Sequence, residues 1–135
     1  MANATIRWVT GKQFVGTDST HHSVVISPAD VGVGMKPSEL LLVALGSCTG
    51  VDVVEILAKK RTTLISLEIQ VTAEQEVDPP WTFRNFHIQY LLKGKGLTEK
   101  AVAQAIQLSE EKYCCVAATV RATAPITTGF EILPE

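Results

Sequence analysis

Three cysteines are the side chains of this sequence best suited to chemistry: Cys48, followed 66 positions later by the adjacent pair Cys114 and Cys115. A cysteine thiolate is a nucleophile that oxidises to a sulfenic acid, which a second thiol converts into a disulfide. A lone buried cysteine is more often structural, because free Cys packs as a small apolar residue. Cys48 therefore has two interpretations, a packing residue or a reactive thiol, and its surroundings must decide between them.

Cys48 lies in the middle of the stretch Lys36–Arg61, which predicts a long helix. Pro37 suits a helix start, and the basic residues at the other end suit a helix C-terminus. The small residues that flank Cys48 would let another backbone or a substrate come close. Leu40 to Val51 carries no charge, and a helix that is apolar on nearly every side is buried on nearly every side.

That burial predicts a second subunit. One modest sheet covers only one side of the helix, so the same helix from a two-fold-related copy is the simplest cover for the other side. We therefore expect an obligate homodimer. A charged residue at Leu45, in the middle of the apolar run, is expected to unfold the protein or to prevent dimer formation.

Length, composition and net charge argue against several classes of function. The 135 residues fit one domain, residues 1–135, and the net charge of −2 without a basic cluster argues against nucleic acid. The charge-free run of about twelve residues is shorter than the roughly twenty that span a bilayer, and no signal peptide is visible, so we expect a soluble, cytoplasmic protein with no membrane contact. No cofactor and no metal site is expected, since adjacent His21 and His22 on a strand point to opposite faces.

Periodicity predicts an antiparallel α+β fold. Inward and outward residues alternate in the strands, and Thr98 is a plausible N-cap for a second helix with Val102, Ile106, Ser109 and Tyr113 on one face. The predicted strands are Ala4–Val9, Gln13–Gly16, Val24–Ile26, Leu67–Ala73, Phe86–Leu92 and Thr128–Leu133; the predicted helices are the central one, Thr98–Lys112 and Val116–Arg121.

Two segments of the sequence, PSELLLVALGSCTGVDVVEIL and EKYCCV, resemble the OsmC/Ohr family of thiol-dependent hydroperoxide reductases, and most of all its less-characterised OsmC-like branch. The resemblance implies an OsmC-like fold, with a sheet wrapped around a long buried central helix in an intertwined homodimer. It also implies a peroxidase of oxidative or osmotic stress defence, which reduces organic hydroperoxides and is restored by an external thiol reductant. By position, Cys48 matches the peroxidatic cysteine and Cys114 the resolving one; the residues themselves leave open whether Cys114 or Cys115 resolves.

The sequence departs from the family's pattern at two charged positions. The family's loop Arg is absent, and the nearest equivalents are Lys12, Lys36, Arg84 and Arg121. The family's Glu stands ten residues before the cysteine, but here Glu39 stands nine before it, about 13.5 Å along the helix and on the opposite face. Glu39 is therefore expected to act only across a dimer.

The charges near Cys48 define the rival hypothesis. Asp52 and Glu55 lie on the same helical face as Cys48 and disfavour a thiolate, so a reductase needs a Lys or Arg beside that cysteine. A non-catalytic OsmC-like dimer, which binds a small apolar ligand or a partner protein, needs no such cation.

Overall fold

Six strands and three helices follow one another in the order that the sequence predicts, in a computed structural model that describes residues 1–135. The strands form two sheets of three, and the mixed α+β class is confirmed. The chain divides into two units, residues 1–41 and 42–135, and the division falls inside the first helix. The single domain over residues 1–135 stays a prediction.

The N-terminal unit is an antiparallel sheet without a core of its own. Strands β1 (Ala4–Thr10), β2 (Gln13–Asp18) and β3 (Ser23–Ile26) pair in that order. Every residue of β1 is exposed, and Trp8 keeps 66% of its surface accessible. A three-stranded sheet needs a hydrophobic face packed against something to be stable, so this sheet requires a cover.

Helix α1 (Pro37–Lys59) is buried on one side only. Its buried side includes Leu45, Val53 and Leu57, each fully inaccessible, whereas Val51 on another side is 67% exposed. Within one protomer only one face of α1 is covered, as predicted, and burial of its other sides by a second subunit stays a prediction. Helix α1 has 23 residues, and an 18-residue window within it has a mean hydropathy of 2.0, so it is long and apolar enough to cross a membrane by length and composition, a test that core helices pass too.

The C-terminal unit holds a mixed sheet. Strands β4 (Thr63–Gln75) and β5 (Phe83–Lys95) form the predicted antiparallel hairpin, but β6 (Ile126–Ile132) pairs with β5 in parallel. The prediction of an all-antiparallel sheet is wrong at β6, because the helical connection after β5 carries the chain back before β6 begins. The predicted inward face of β5 is confirmed, since Phe86, Ile88, Tyr90 and Leu92 are buried.

Between β5 and β6 the helix is interrupted. Helix α2 (Glu99–Leu108) starts at Thr98, whose hydroxyl accepts from the Ala101 amide at 3.1 Å, as predicted. It is followed by a π-helical turn, Ser109–Tyr113 (the π turn), and by helix α3 (Cys115–Arg121). The predicted helix to Lys112 is helical over that length, but it is α-helical only to Leu108 and its last turn is π-helical. The π turn shifts the residues in it around the helix axis, and Tyr113 is 54% exposed, whereas Val102, Ile106 and Ser109 are buried.

Leu45 belongs to the core of its own protomer, so a charge there would disturb folding whether or not a dimer forms. We predict that Leu45→Ala lowers the free energy of unfolding by about 2–5 kcal/mol, the usual cost of emptying a well-packed core position. Urea unfolding measures this. Val77→Ala is the control, because Val77 is 90% exposed and its truncation should change little. A loss of stability no larger than the control's would show that the α1 contact with the sheet is not formed.

Candidate functional site

Two of the three cysteines lie side by side in the C-terminal unit. Cys48 is half-buried on α1, and Cys114, 2% exposed, follows the π turn, with the two thiols close enough for Cys48 to raise the pKa of Cys114. All three cysteines are free thiols, and Cys115 is exposed. The structure thus brings together the two cysteines that the resemblance pairs, while the roles assigned to them stay predictions.

The glycines on either side of Cys48 determine how close α1 lies to the sheet. A Cβ at Gly46 would lie 2.9 Å from the Val71 side chain, and one at Gly50 would lie 2.8 Å from Ile69. Real Cβ contacts are longer, so a larger residue at either position would require the Val71 or Ile69 side chain to shift. The small residues that flank Cys48 therefore serve the packing of α1 on β4, and they hold the turn that carries the cysteine in place.

A chain of hydrogen bonds ties the second cysteine to the first helix. The Ser109 hydroxyl donates to the carboxylate of Asp52 at 2.8 Å, and Asp52 lies one helical turn after Cys48. The Cys114 amide donates to the Ser109 carbonyl at 2.8 Å. Ser109 is fully buried, so this bridge anchors the π turn to α1 and places Cys114 beside Cys48.

Cys114 is held as a neutral thiol. Burial, followed by the hydrogen bond with Cys48, raises the pKa of Cys114 from 9.0 to about 12. An amide partly opposes this, because Cys114 is the N-cap of α3 and its Sγ accepts from the Ala117 amide at 3.3 Å. At neutral pH, Cys114 is therefore protonated and is poorly suited to be the first nucleophile.

Tyr90 completes the buried polar surroundings of the thiols. It is fully buried on β5, and its hydroxyl has no hydrogen-bond partner. The Thr49 hydroxyl lies close enough to lower the pKa of Tyr90, but its proton is donated to the Gly46 carbonyl at 3.1 Å. Burial dominates and raises the pKa of Tyr90 to about 12, with further contributions from Glu110, Cys114 and Asp52.

Sequence reasoning placed Tyr90 only in a strand pattern and missed its position beside the thiols. A signal was present: a tyrosine on the inward face of a strand must find a partner for its hydroxyl or bury it unpaired. Asp52 was expected near Cys48, whereas its partner Ser109 was recognised only as a member of a helix face.

Glu110 is the buried carboxyl of the π turn. Burial raises its pKa, the Arg121 guanidinium lowers it, and Glu111 raises it. Arg121 donates to the Glu110 carbonyl at 2.7 Å and lies 3.7 Å from Oε2, while Oε1 is buried without a partner. The Tyr90 hydroxyl and this oxygen are the two buried side-chain polar atoms without a hydrogen-bond partner.

The candidate cations and Glu39 are held in ion pairs inside their own units. Glu39, in the first turn of α1, pairs with Lys36 at 3.4 Å, so its predicted action across a dimer stays a prediction. The prediction of a cation beside Cys48 likewise stays a prediction. The other pairs are Lys12–Asp30 at 2.6 Å, Arg84–Glu76 at 2.6 Å and Arg121–Glu110 at 3.7 Å.

A cavity of about 440 Å³ opens along the face of α1 that continues from Cys48. Its lining begins at Asp52, one turn beyond Cys48, and includes Tyr113, which directly precedes Cys114, but neither thiol lines it. Its wall has an apolar side, Ile56, Leu108 and Tyr113, and a charged side, Asp52, Glu55, Lys59 and Lys60.

Comparisons with known proteins agree on one family. A sequence model of the OsmC-like protein family matches residues 29–129. Protein YhfA of Escherichia coli K12 is 32% identical over 130 residues, which cover 96% of this chain and 97% of that protein. The crystal structure of a hypothetical protein from Aquifex aeolicus VF5 superposes with a TM-score of 0.89 at 32% identity, over 100% of this chain and 98% of the other.

A protein with a function in its name shares the fold at lower identity. The organic hydroperoxide resistance protein OhrB of Bacillus subtilis superposes with a TM-score of 0.63 at 15% identity, over 97% of this chain and 98% of the other. At that identity the likeness establishes the fold alone. The OsmC-like fold predicted from the sequence is confirmed.

The raised pKa of Cys114 predicts a loss of stability at alkaline pH. Above pH 9 the unfolded chain loses the Cys114 proton, whereas the folded chain keeps it up to about pH 12, so the free energy of unfolding falls in this window. We predict that Cys114→Ala makes the fall between pH 9 and 11 shallower by on the order of 1–3 kcal/mol. Urea unfolding at several pH values measures the slope. Cys115→Ala, at the exposed neighbour, is the control and should keep it; equal slopes in all three proteins would contradict the assigned burial of the Cys114 thiol.

Proposed function

Because the chain belongs to the OsmC-like protein family, we propose that it is a thiol-dependent peroxidase that reduces organic hydroperoxides, with Cys48 as the peroxidatic and Cys114 as the resolving cysteine. The observation that carries the proposal is the contact between these two thiols, of which the second is held protonated. The named function of OhrB in Bacillus subtilis, a protein of the same fold, supports a role in oxidative stress.

The proposed reaction has three steps. The Cys48 thiolate attacks an oxygen of the hydroperoxide; an S–O bond forms, the O–O bond breaks, and the alcohol leaves with a proton. The sulfur of Cys114 then attacks the Cys48 sulfenic acid, an S–S bond forms, and water leaves. An external thiol reductant, of the kind present in a reducing cytoplasm, returns the disulfide to two thiols.

The environments of the two thiols support this division of roles. A first nucleophile must be a thiolate and must meet the substrate, which suits Cys48 because it is only half-buried. A resolving thiol needs contact with the sulfenic acid and need not meet the substrate, which suits the buried Cys114. Cys115 is exposed, and as the residue after Cys114 it lies one peptide bond away from that contact.

The cavity that begins one turn beyond Cys48 supports an apolar substrate. Ile56, Leu108 and Tyr113 offer an apolar wall in a space of about 440 Å³. Pockets of this size hold small organic molecules. We therefore propose a fatty or aromatic hydroperoxide and not a small polar one.

We further propose that the active form is a homodimer. The N-terminal sheet leaves Ile6 60% exposed and Trp8 66% exposed, and α1 leaves Val51 67% exposed and Val54 46% exposed. Contiguous apolar surfaces on this scale mark interaction sites. A second copy would cover them, and it would bring Glu39 and the family's missing cation to Cys48 from the partner chain.

Cysteine variants test the reaction. We predict that Cys48→Ser lowers the rate with cumene hydroperoxide at least ~100-fold, because no thiolate attacks. Cys114→Ser should still consume one equivalent but should accumulate sulfenic or over-oxidised Cys48, because nothing traps it. Cys115→Ser is the matched control and should turn over normally. Stopped-flow kinetics and peptide mapping give the readouts.

The same experiment decides between alternatives. A disulfide only between Cys48 and Cys115 would make Cys115 the resolving residue. Wild-type protein that is fully reduced, folded and unreactive toward the hydroperoxide would replace the peroxidase proposal with the non-catalytic dimer that binds a small apolar ligand or a partner protein.

A charge on the uncovered side of α1 tests the dimer. We predict that Val51→Asp raises the dimer dissociation constant at least ~10-fold, because a carboxylate would be buried without a partner. Sedimentation velocity over a concentration series measures it. Val77→Asp, on the turn between β4 and β5, is the control and should assemble like wild type. A wild-type protein that sediments as a folded monomer at micromolar concentration would refute the dimer.

A further inference from the structure

We propose that Ser109 and Asp52 are positioning residues for the resolving step: the hydrogen bond between them holds Cys114 against the helix that carries Cys48. This inference rests on the proposed function, because it concerns the second step of that reaction. It gives a role in the reaction to two polar residues that neither the sequence motifs nor the resemblance assigns.

The first observation is that one hydrogen bond joins the two segments that carry these cysteines. The Ser109 hydroxyl donates to the Asp52 carboxylate at 2.8 Å, and no other hydrogen bond and no ion pair links α1 to residues 109–121. The hydrophobic effect is non-directional, whereas a hydrogen bond is restricted in distance and angle. This bond is therefore the contact that can set the position of one segment on the other.

The second observation is that Ser109 is bonded directly to Cys114. The Ser109 carbonyl accepts from the Cys114 amide at 2.8 Å, a bond to the fifth residue along the chain, as in a π-helix. The Ser109 amide donates to the carbonyls of Ala105 and Ile106 at the end of α2. The hydroxyl, carbonyl and amide of this fully buried residue thus join α1, Cys114 and α2.

The third observation is the place of Asp52 relative to Cys48. Asp52 follows Cys48 by four residues, so their side chains leave the same face of α1 with Cβ atoms about 5–6 Å apart. From Cys48 to Cys114 the path therefore runs over one helical turn and two hydrogen bonds of 2.8 Å each. A path this short agrees with the effect of Cys48 on the pKa of Cys114.

Closing a disulfide requires this kind of positioning. The Cβ atoms of a disulfide lie about 3.5–4.5 Å apart, within a narrow range of torsion angles. Cys114 has an extended backbone between the π turn and α3, with φ −79° and ψ 106°. Holding the preceding turn on α1 therefore limits where the Cys114 sulfur can lie.

The resolving step balances without a further reactant. The S–H bond of Cys114 and the S–O bond of the Cys48 sulfenic acid break, the S–S bond forms, and the proton joins the departing hydroxyl as water. The Cys114 sulfur is oxidised and the Cys48 sulfur is reduced. Ser109 and Asp52 exchange no proton in this step and act only through position.

The test compares Ser109→Ala with Thr119→Ala in a Cys115→Ser background. Thr119 is the matched control, because its hydroxyl is exposed on α3 and donates to the Cys115 carbonyl at 2.8 Å. After one equivalent of cumene hydroperoxide, rapid quenching with a sulfenic-acid trap measures Cys48 oxidation and disulfide closure separately. The rate of closure relative to oxidation should fall about 10-fold in Ser109→Ala, as expected for losing a hydrogen bond to a charged group. It should keep the wild-type value in Thr119→Ala.

Variants of Asp52 show whether the bond itself sets the rate of closure. Asp52→Ala should slow closure as much as Ser109→Ala, and the double variant should be no slower than either, because both changes remove one bond. Asp52→Asn keeps an oxygen that can accept from Ser109 and should close faster than Asp52→Ala. Additive losses in the double variant would overturn the inference. Asp52 is only half-buried, so its variants keep the inference testable where Ser109→Ala folds poorly.

An equilibrium measurement separates failure of this inference from failure of the peroxidase proposal. In a glutathione redox buffer, oxidised glutathione is reduced to two thiols as the Cys48–Cys114 disulfide forms, and no hydroperoxide is needed. The equilibrium constant should be about 10-fold lower in Ser109→Ala than in wild type or Thr119→Ala. Where wild type ignores the hydroperoxide, the peroxidase proposal fails, and this difference still supports the role of Ser109. Equal constants in all three proteins would overturn the inference even in an active peroxidase.

Discussion

The close packing of α1 on β4 is the constraint on which the site depends. Gly46 and Gly50 bring the helix so near the strand that an added Cβ would lie 2.8–2.9 Å from Ile69 or Val71. Leu45 and the buried residues after it then fill the space behind that contact. Because protein cores are packed as densely as crystals, this close contact favours one position of the helix on the strand and therefore of the turn between the two glycines. Cys48 is the residue at the middle of that turn.

The second thiol, that of Cys114, is held in position by polar contacts. The hydrogen bond from Ser109 to the Asp52 carboxylate joins a neutral donor to a charged acceptor, a kind worth about 1.5–3 kcal/mol. It favours one arrangement of the π turn and hence one position of Cys114. The unpaired Tyr90 hydroxyl has a cost of similar size, about 1–3 kcal/mol. The C-terminal unit therefore combines a hydrogen bond that stabilises the position of Cys114 with a buried hydroxyl that lowers the stability of the fold.

The order of helices and strands could be predicted from the sequence, because each element has its own local periodicity. The alternation from Phe86 to Leu92 defines the inward face of β5, and Thr98 marks the start of α2. The pairing of Cys48 with Cys114 came from family resemblance, since 66 residues of chain say nothing about distance. The parallel pairing of β6 could not be predicted from the sequence, because the partner of a strand is decided by tertiary packing. The π turn could not be predicted either, because one extra residue in a helical turn leaves no periodic signal.

The ion pairs indicate which cations could serve Cys48 in an assembled dimer. Arg84 and Glu76 are 58% and 48% exposed, and Lys36 and Glu39 are 46% and 50% exposed. Pairs this exposed contribute little to stability, so a partner chain could recruit either cation at small cost. Arg121 is different, because the side chain of its partner Glu110 is only 14% exposed. The backbone carbonyl of Glu110 also accepts a hydrogen bond from the Arg121 guanidinium. Removing Arg121 would leave a buried carboxylate unpaired, which is far more costly. In the proposed dimer, recruiting an exposed cation to the Cys48 thiolate would therefore cost less than recruiting Arg121 from the π-turn network.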